Sequence, residues 1–289
     1  MAAMRHFTGV VLGSCLAMLA AAAQATDLSA DEIVARSYAV KSGDDMSAEL
    51  EFTFQGQDEP ATRTVLFMAY KNYHGDGGIA SKLVMFTEFP PDKRDVSFLA
   101  WFYPSDSGRQ HDMWLYLPEL RTVRKMGGMH DHHHHHEDDG DETYRNSQLD
   151  HEELSPRPPR LDHHRLLGTD SVEGVMCYMV ESVPIDPQTS AYARRVTWIT
   201  QDHYLPVRIE YYAKDDGVLV KEQHLSWRQI GDSWLWDEVS AVNLRNGQHT
   251  RLVQSQVKVN SGLPDNLFTK RILTQGLGAL RGRLGDARN

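Results

Sequence analysis

The densest chemistry in this 289-residue chain lies in one run, His130-Asp131-His132-His133-His134-His135-His136-Glu137-Asp138-Asp139-Gly140-Asp141-Glu142. Six of its thirteen residues are histidine and six are acidic. Imidazole nitrogens and carboxylate oxygens together suit Zn(II), Ni(II) or Cu(II), and a chain without fixed geometry offers three or four such donors in many combinations. His130, His132, His133, His134, His135 and His136 are therefore the candidate metal ligands, with His151, His163 and His164 downstream. This composition excludes a packed core, so a disordered, solvated loop is expected over about 127–146. The plainer reading is a linker whose imidazoles titrate near about pH 6.5, carrying its charge from about −6 toward neutral as the medium acidifies. Nothing else in the sequence requires a cofactor.

Other reactive side chains are few. Cysteine occurs only at Cys15 and Cys177, and the setting Val175-Met176-Cys177-Tyr178-Met179-Val180 reads as that of a small buried apolar residue. No nucleophile paired with a base, no phosphate-cradling glycine loop and no zinc-hydrolase motif stands out, so an enzyme is not expected. With 30 basic and 40 acidic residues the formal charge is −10, which gives no support for binding a phosphate backbone. Nucleic acid is therefore not an expected partner.

The amino terminus reads as an address. Residues 1–25 carry one formal charge, Arg5, then an apolar run from Phe7 to Ala23 that ends in Ala23-Gln24-Ala25. That pattern is a cleavable secretory signal, with a mature chain from Thr26, a charge of −10 − 1 = −11 and a periplasmic destination. A competing reading lipidates Cys15 through Leu12-Gly13-Ser14-Cys15, but it leaves only a short apolar run ahead of the cut. After cleavage Cys177 is the only thiol, so core burial rather than an internal disulfide must supply stability.

Further along, Ser29 and Glu32 make a capping box ahead of Ile33, Val34 and Tyr38, which predicts a helix over roughly 29–41. The period then changes to two, with Ala48, Leu50, Phe52 and Phe54 alternating with polar residues. Similar runs lie near 62–70, 82–89, 95–103 and 112–117 and, after a polar stretch over 126–165, near 174–183, 192–200, 206–213, 217–227, 233–243 and 249–259. About eleven closely spaced strands without helices between them predict an antiparallel meander curled into a barrel or half-barrel. The first helix and a short one around 268–280 should cap it. Val65 to Tyr70 and Val96 to Tyr103 are apolar on both faces, so the second face must meet a helix, a partner or a ligand, or be plain core.

Two segments carry a resemblance. Phe89-Pro90-Pro91-Asp92-Lys93-Arg94-Asp95 leads to Asp112-Met113-Trp114-Leu115-Tyr116-Leu117-Pro118-Glu119-Leu120-Arg121, and the chain ends near Gly262-Leu263-Pro264-Asp265-Asn266-Leu267-Phe268. Over about 29–275 the chain resembles the LolA-like outer-membrane lipoprotein-sorting family. The resemblance implies an incomplete antiparallel barrel over residues 26–289, with helices covering a hydrophobic cavity for acyl chains. Phe52, Phe54, Met68, Met85, Phe98, Trp101, Trp114 and Tyr116 are the candidate cavity lining. It also implies a periplasmic carrier of a lipid or lipoprotein between envelope membranes, beside an inner-membrane transporter and an outer-membrane acceptor. A single copy is the expected unit. The chain departs from the family pattern after Lys125, where the histidine-acidic insertion precedes Ser147-Gln148-Leu149-Asp150-His151-Glu152-Glu153-Leu154 and the usual aromatic residues are missing. Exposing a sixteen-carbon chain to water costs roughly 12 kcal/mol at about 0.8 kcal/mol per methylene, which is the barrier such a cavity removes.

Titrating the mature chain with Zn(II) should show binding that is lost when 130–136 are deleted. Unchanged affinity in the deletion would remove the tract as a metal site.

Overall fold

The structure is a computed structural model that describes residues 28–57, 60–104, 107–126, 147–149 and 151–286. The leader with Cys15 and the tract from His130 to His136 lie outside the described residues. Ser29 opens α1 (Ala30–Tyr38) through the expected capping box: its hydroxyl accepts from the Glu32 N–H at 3.2 Å, and its own N–H donates to Glu32 Oε2 at 2.8 Å. The helix ends at Tyr38, short of the expected residue 41.

Among the described residues thirteen strands form one antiparallel sheet that does not close. They are β1 (Asp45–Gln55), β2 (Thr62–Asn72), β3 (Ser81–Phe89), β4 (Ser97–Phe102), β5 (Asp112–Leu117), β6 (Thr122–Met126), β7 (Asp162–Val172), β8 (Val175–Pro184), β9 (Arg194–Thr200), β10 (Pro206–Tyr212), β11 (Leu219–Ile230), β12 (Ser233–Asn243) and β13 (His249–Val259). Their order is β6-β5-β4-β3-β2-β1-β13-β12-β11-β10-β9-β8-β7. The expectation of about eleven strands is corrected by β6 and β7, and both are edge strands. An edge strand has one neighbour and little covered face, so its sequence need not alternate. Seven of the eleven β7 residues are exposed, and β6 exposes Thr122, Arg124 and Lys125. Between β7 and β8, Glu173 and Gly174 both take positive φ (51° and 86°), as a two-residue turn matched to strand twist requires.

Pairing β1 with β13 makes one continuous sheet of two meanders and leaves consecutive strands β6 and β7 at opposite edges. The chain between them must therefore cross a face. The described part of the crossing contains α2 (His151–Leu154) and lies on the face that carries Leu50, Phe52 and Phe54, here called the first face. The α1 helix packs on that same face against Val180 and Ile199.

The opposite, second face of β2 to β5 is covered by the carboxy-terminal segment. Asp45, 5% exposed, accepts from the N–H groups of Ser261, Gly262 and Leu263 at 2.8, 2.9 and 3.1 Å, which turns the chain off the end of β13. Lys71 donates to Leu263 O and to Asp265 Oδ1, each at 2.8 Å, and the Tyr73 hydroxyl donates to the same Asp265 oxygen. The Asp265-Asn266-Leu267-Phe268 motif thus pins fully buried Leu267 and Phe268 onto Ala69, Val84, Phe86 and Leu99. Beyond it α3 (Lys270–Leu273) and α4 (Gly276–Asp286) add Ile272, Leu273, Leu277 and Leu280. Asp95 accepts from the Leu277 N–H at 3.1 Å, and Gly276 is needed there: its φ is 76°, and a Cβ would lie 3.3 Å from Asp95 Oδ1. The two terminal helical segments were expected to cover one cavity together, over 29–41 and 268–280. They lie instead on opposite faces of the sheet, because the parity of the strand positions they pack on is opposite.

The hydrogen bond from Lys71, and then that from Tyr73, holds the Asp265 carboxyl below its ordinary value. A depressed carboxylate stabilises the fold above its unfolded pKa and loses that contribution as pH falls through the folded value. Asp265→Asn should therefore cost about 1 kcal/mol near neutrality, discounted for exposure, with the gap to wild type narrowing in melts taken toward about pH 2.

Candidate binding surface

Strand register assembles a continuous apolar surface on the first face. Met68 pairs with Met85, Met85 with Phe98 and Phe98 with Leu115, so one row runs across β2, β3, β4 and β5. On the other side of β1, Phe52 pairs with Leu252, Leu252 with Val239 and Val239 with Leu225. Phe52 and Phe54 stack with ring centroids 5.9 Å apart. The cluster is capped by Leu149, 1% exposed, and by half-buried Leu154, both from the crossing segment.

Of the eight candidate cavity residues, Phe52, Phe54, Met68, Met85 and Phe98 share this face. The first three are 2%, 7% and 9% exposed, whereas Met85 and Phe98 are only half-buried. Trp101, Trp114 and Tyr116 lie on the second face beneath the carboxy-terminal helices. The Trp101 indole N–H donates to Phe268 O at 3.0 Å, its ring meets Trp114 edge-on at 5.3 Å, and Lys270 Nζ lies 4.6 Å from the Trp114 ring centroid. Lys82 Nζ rests 4.6 Å from the Trp101 ring, with its pKa lowered by burial. Trp101, with Trp114 and Tyr116 of the Trp-Leu-Tyr-Leu-Pro motif, packs against the carboxy-terminal segment.

Sequence reasoning missed the cover of the first face. Gln148 N–H donates to Thr250 Oγ1 at 2.8 Å in β13, and Glu153, with its side chain fully buried, accepts from Lys221 Nζ of β11 at 2.6 Å and from the Tyr192 hydroxyl. Gln223 Nε2 donates to Glu153 O at 3.2 Å, and the Tyr211 hydroxyl donates to Gln223 Oε1 at 2.6 Å. Glu152 accepts from the Ser190 hydroxyl at 2.5 Å and from the Ala191 N–H at 2.9 Å. Glu153 and Lys221 are 68 positions apart, and no local pattern marks such a pair. Beside the pair is an open cleft of about 420 Å³ whose walls include Gln148, Tyr192, Lys221 and Asn243.

The candidate ligands His130, His132, His133, His134, His135 and His136 lie outside the described residues. Among the described residues no three His, Cys, Asp or Glu side chains are grouped to hold a metal. His163 is exposed, and His164 bonds Ser182 Oγ and Pro159 O, each at 2.9 Å.

A family model described as an uncharacterized protein matches residues 80–275. The chain belongs to that family. A DUF1329 family protein of Desulfovibrio piger superposes with a TM-score of 0.71 at 23% identity, covering 84% of this chain and 97% of its own. A domain of Vibrio parahaemolyticus, named as outer-membrane lipoprotein-sorting, gives 0.68 at 23% identity over 85% and 98%. A LolA superfamily protein of Nitrosomonas europaea gives 0.58 at 16% identity over 85% and 99%. No curated protein matches the sequence. At these identities the solved structures establish a shared fold: a mainly β, open antiparallel sheet with few helices.

Leu149→Ala should cost about 2–4 kcal/mol by opening a cavity under the crossing segment. The same variant should bind the apolar dye 1-anilinonaphthalene-8-sulfonate more tightly than wild type, whereas a fall in stability without added dye binding would mean that the face closes up.

Proposed function

We propose that the protein is an envelope carrier that holds the acyl chain of a lipid or lipoprotein on the first face of its sheet. The observation that carries this reading is the unequal cover of the two apolar faces. On the second face seven carboxy-terminal side chains (Leu263, Leu267, Phe268, Ile272, Leu273, Leu277 and Leu280) are at most 5% exposed. On the first face the described residues of the crossing segment insert Leu149 fully and Leu154 in part, while α1 packs away from this cluster. At about 2 kcal/mol per buried large apolar side chain, the apolar burial lost on uncovering is on the order of 14 kcal/mol for the second face and about 3 kcal/mol for the described residues of the crossing segment. Only the first face opens at a cost that the roughly 12 kcal/mol gained by burying a sixteen-carbon chain exceeds.

Methionines at 68 and 85 suit chains of varied length, because an unbranched thioether repacks readily. The secretory leader in the sequence and the lipoprotein-sorting name of one structural relative support a periplasmic setting. In this reading the protein is a binding protein rather than an enzyme. It takes its cargo from an inner-membrane transporter and delivers it to an outer-membrane acceptor. A second, separate reading is divalent-metal binding by the tract from His130 to His136, supported by its composition alone.

Mass spectrometry of organic extracts from purified protein should recover a stoichiometric acyl lipid. Protein that is lipid-free as isolated and takes up no added fatty acid would reject the carrier.

A further inference from the structure

We propose that the cargo is an anionic amphiphile, one acyl chain with a compact carboxylate or phosphate head, and that Lys221 receives the head. The inference rests on the carrier reading and adds the headgroup to it. Leu149 and Glu153 belong to one short segment: the first fills the apolar cluster and the second neutralises Lys221 at 2.6 Å. A ligand that takes the place of Leu149 therefore also draws Glu153 away from Lys221.

With the segment in place the lysine is shielded from water. Its side chain is 10% exposed, that of Glu153 is 0% exposed, and the surroundings are Tyr192, with Lys221 Nζ 5.5 Å from its ring centroid, and fully buried Gln223. An ammonium that loses its carboxylate while still partly shielded is destabilised, so exchange is favoured by a ligand that brings its own anion. The Tyr192 hydroxyl, which now donates to the Glu153 carboxylate, would donate to the replacement.

The space required is present. The cleft of about 420 Å³ has Lys221, Tyr192, Gln148 and Asn243 on its walls and the exposed cations Lys214 and Arg245 beside them. Arg245 is already matched by Asp215 and Asp216 at 3.0 and 2.7 Å, whereas the partner of Lys221 belongs to the segment that carries Leu149. Chain site and head site adjoin, because Gln148, at the edge of the cleft, directly precedes Leu149 in the cluster. One movement of one segment exposes an apolar floor and an uncompensated cation together, and an anionic amphiphile matches both.

The test is calorimetric titration of the delipidated mature chain with dodecanoate, dodecyl phosphate and monododecanoylglycerol, three ligands with the same chain. The anionic pair should bind at least about tenfold tighter than the neutral ester. Their relative affinities tell carboxylate from phosphate. Inorganic phosphate alone should not bind, because the apolar cover would stay in place. Lys221→Met leaves Glu153 buried without its cation, so the informative variant is E153Q/K221M, in which neither charge remains. It should bind all three amphiphiles with affinities within about twofold of one another. Equal affinity for charged and neutral ligands in wild type, or a preference that survives in E153Q/K221M, would overturn the headgroup assignment and leave the carrier standing. Failure of all three ligands to bind would overturn both.

Discussion

The pairing of β1 with β13 is the constraint from which the rest of the architecture follows. It joins two antiparallel meanders into one sheet and sends β6 and β7, neighbours in sequence, to opposite edges of thirteen strands. Strands at opposite edges cannot be joined by a hairpin, and the described end of the connection lies on the first face. The insertion in this chain falls in that connection, between Met126 and Ser147. The topology thus supplies the first face with a long connection before any functional demand is made of it. What the sequence then chooses is how firmly the crossing is held.

It is held in two ways that behave differently. Leu149 and Leu154 contribute non-directional burial, which any apolar group of similar size can replace. The Glu153 to Lys221 pair is directional, and a buried ion pair is a poor source of net stability once desolvation is counted. Its value is in register: with the carboxylate on Lys221 and Tyr192, the Gln148 amide meets Thr250 and Leu149 meets Phe52 and Leu252. The carboxy-terminal segment shows the opposite balance. There the polar contacts of Asp45, Lys71, Asp95 and Asp265 accompany seven buried apolar side chains, and the assembly is permanent.

Local rules made much of this legible. The capping box at Ser29, the alternation of Ala48 to Phe54 and the apolar character of both faces of Val65 to Tyr70 appear in the structure as read. The edge strands were hidden because most of their side chains are exposed and do not alternate, and Asp162-His163-His164-Arg165 reads as loop. The division of the aromatic residues could have been seen: Phe98 and Trp101 are three apart within one strand, and a period of two sends them to opposite faces. Which of them joins Met85 could not, because that depends on the register of β3 against β4. Lys221 lay beyond local reading for a similar reason, since its environment is made by a crossing segment 68 positions away.

A cover that must leave cannot be optimised for stability alone. In the proposed carrier, apparent ligand affinity falls by the fraction of protein in the open state, and the apolar contribution of the crossing segment, about 3 kcal/mol, by itself lowers it by roughly a hundredfold. The roughly 12 kcal/mol of a long acyl chain exceeds this cost, and the cover keeps the cluster around Phe52 and Met68 from presenting a bare apolar strip to other molecules. Replacing Glu153 and Lys221 by a well-packed apolar pair would hold the segment by burial alone, and the face would then open for any greasy chain. In the proposed carrier the ionic pair makes opening conditional on a countercharge, so selectivity for the head would arise from the same residues that fix the closed register.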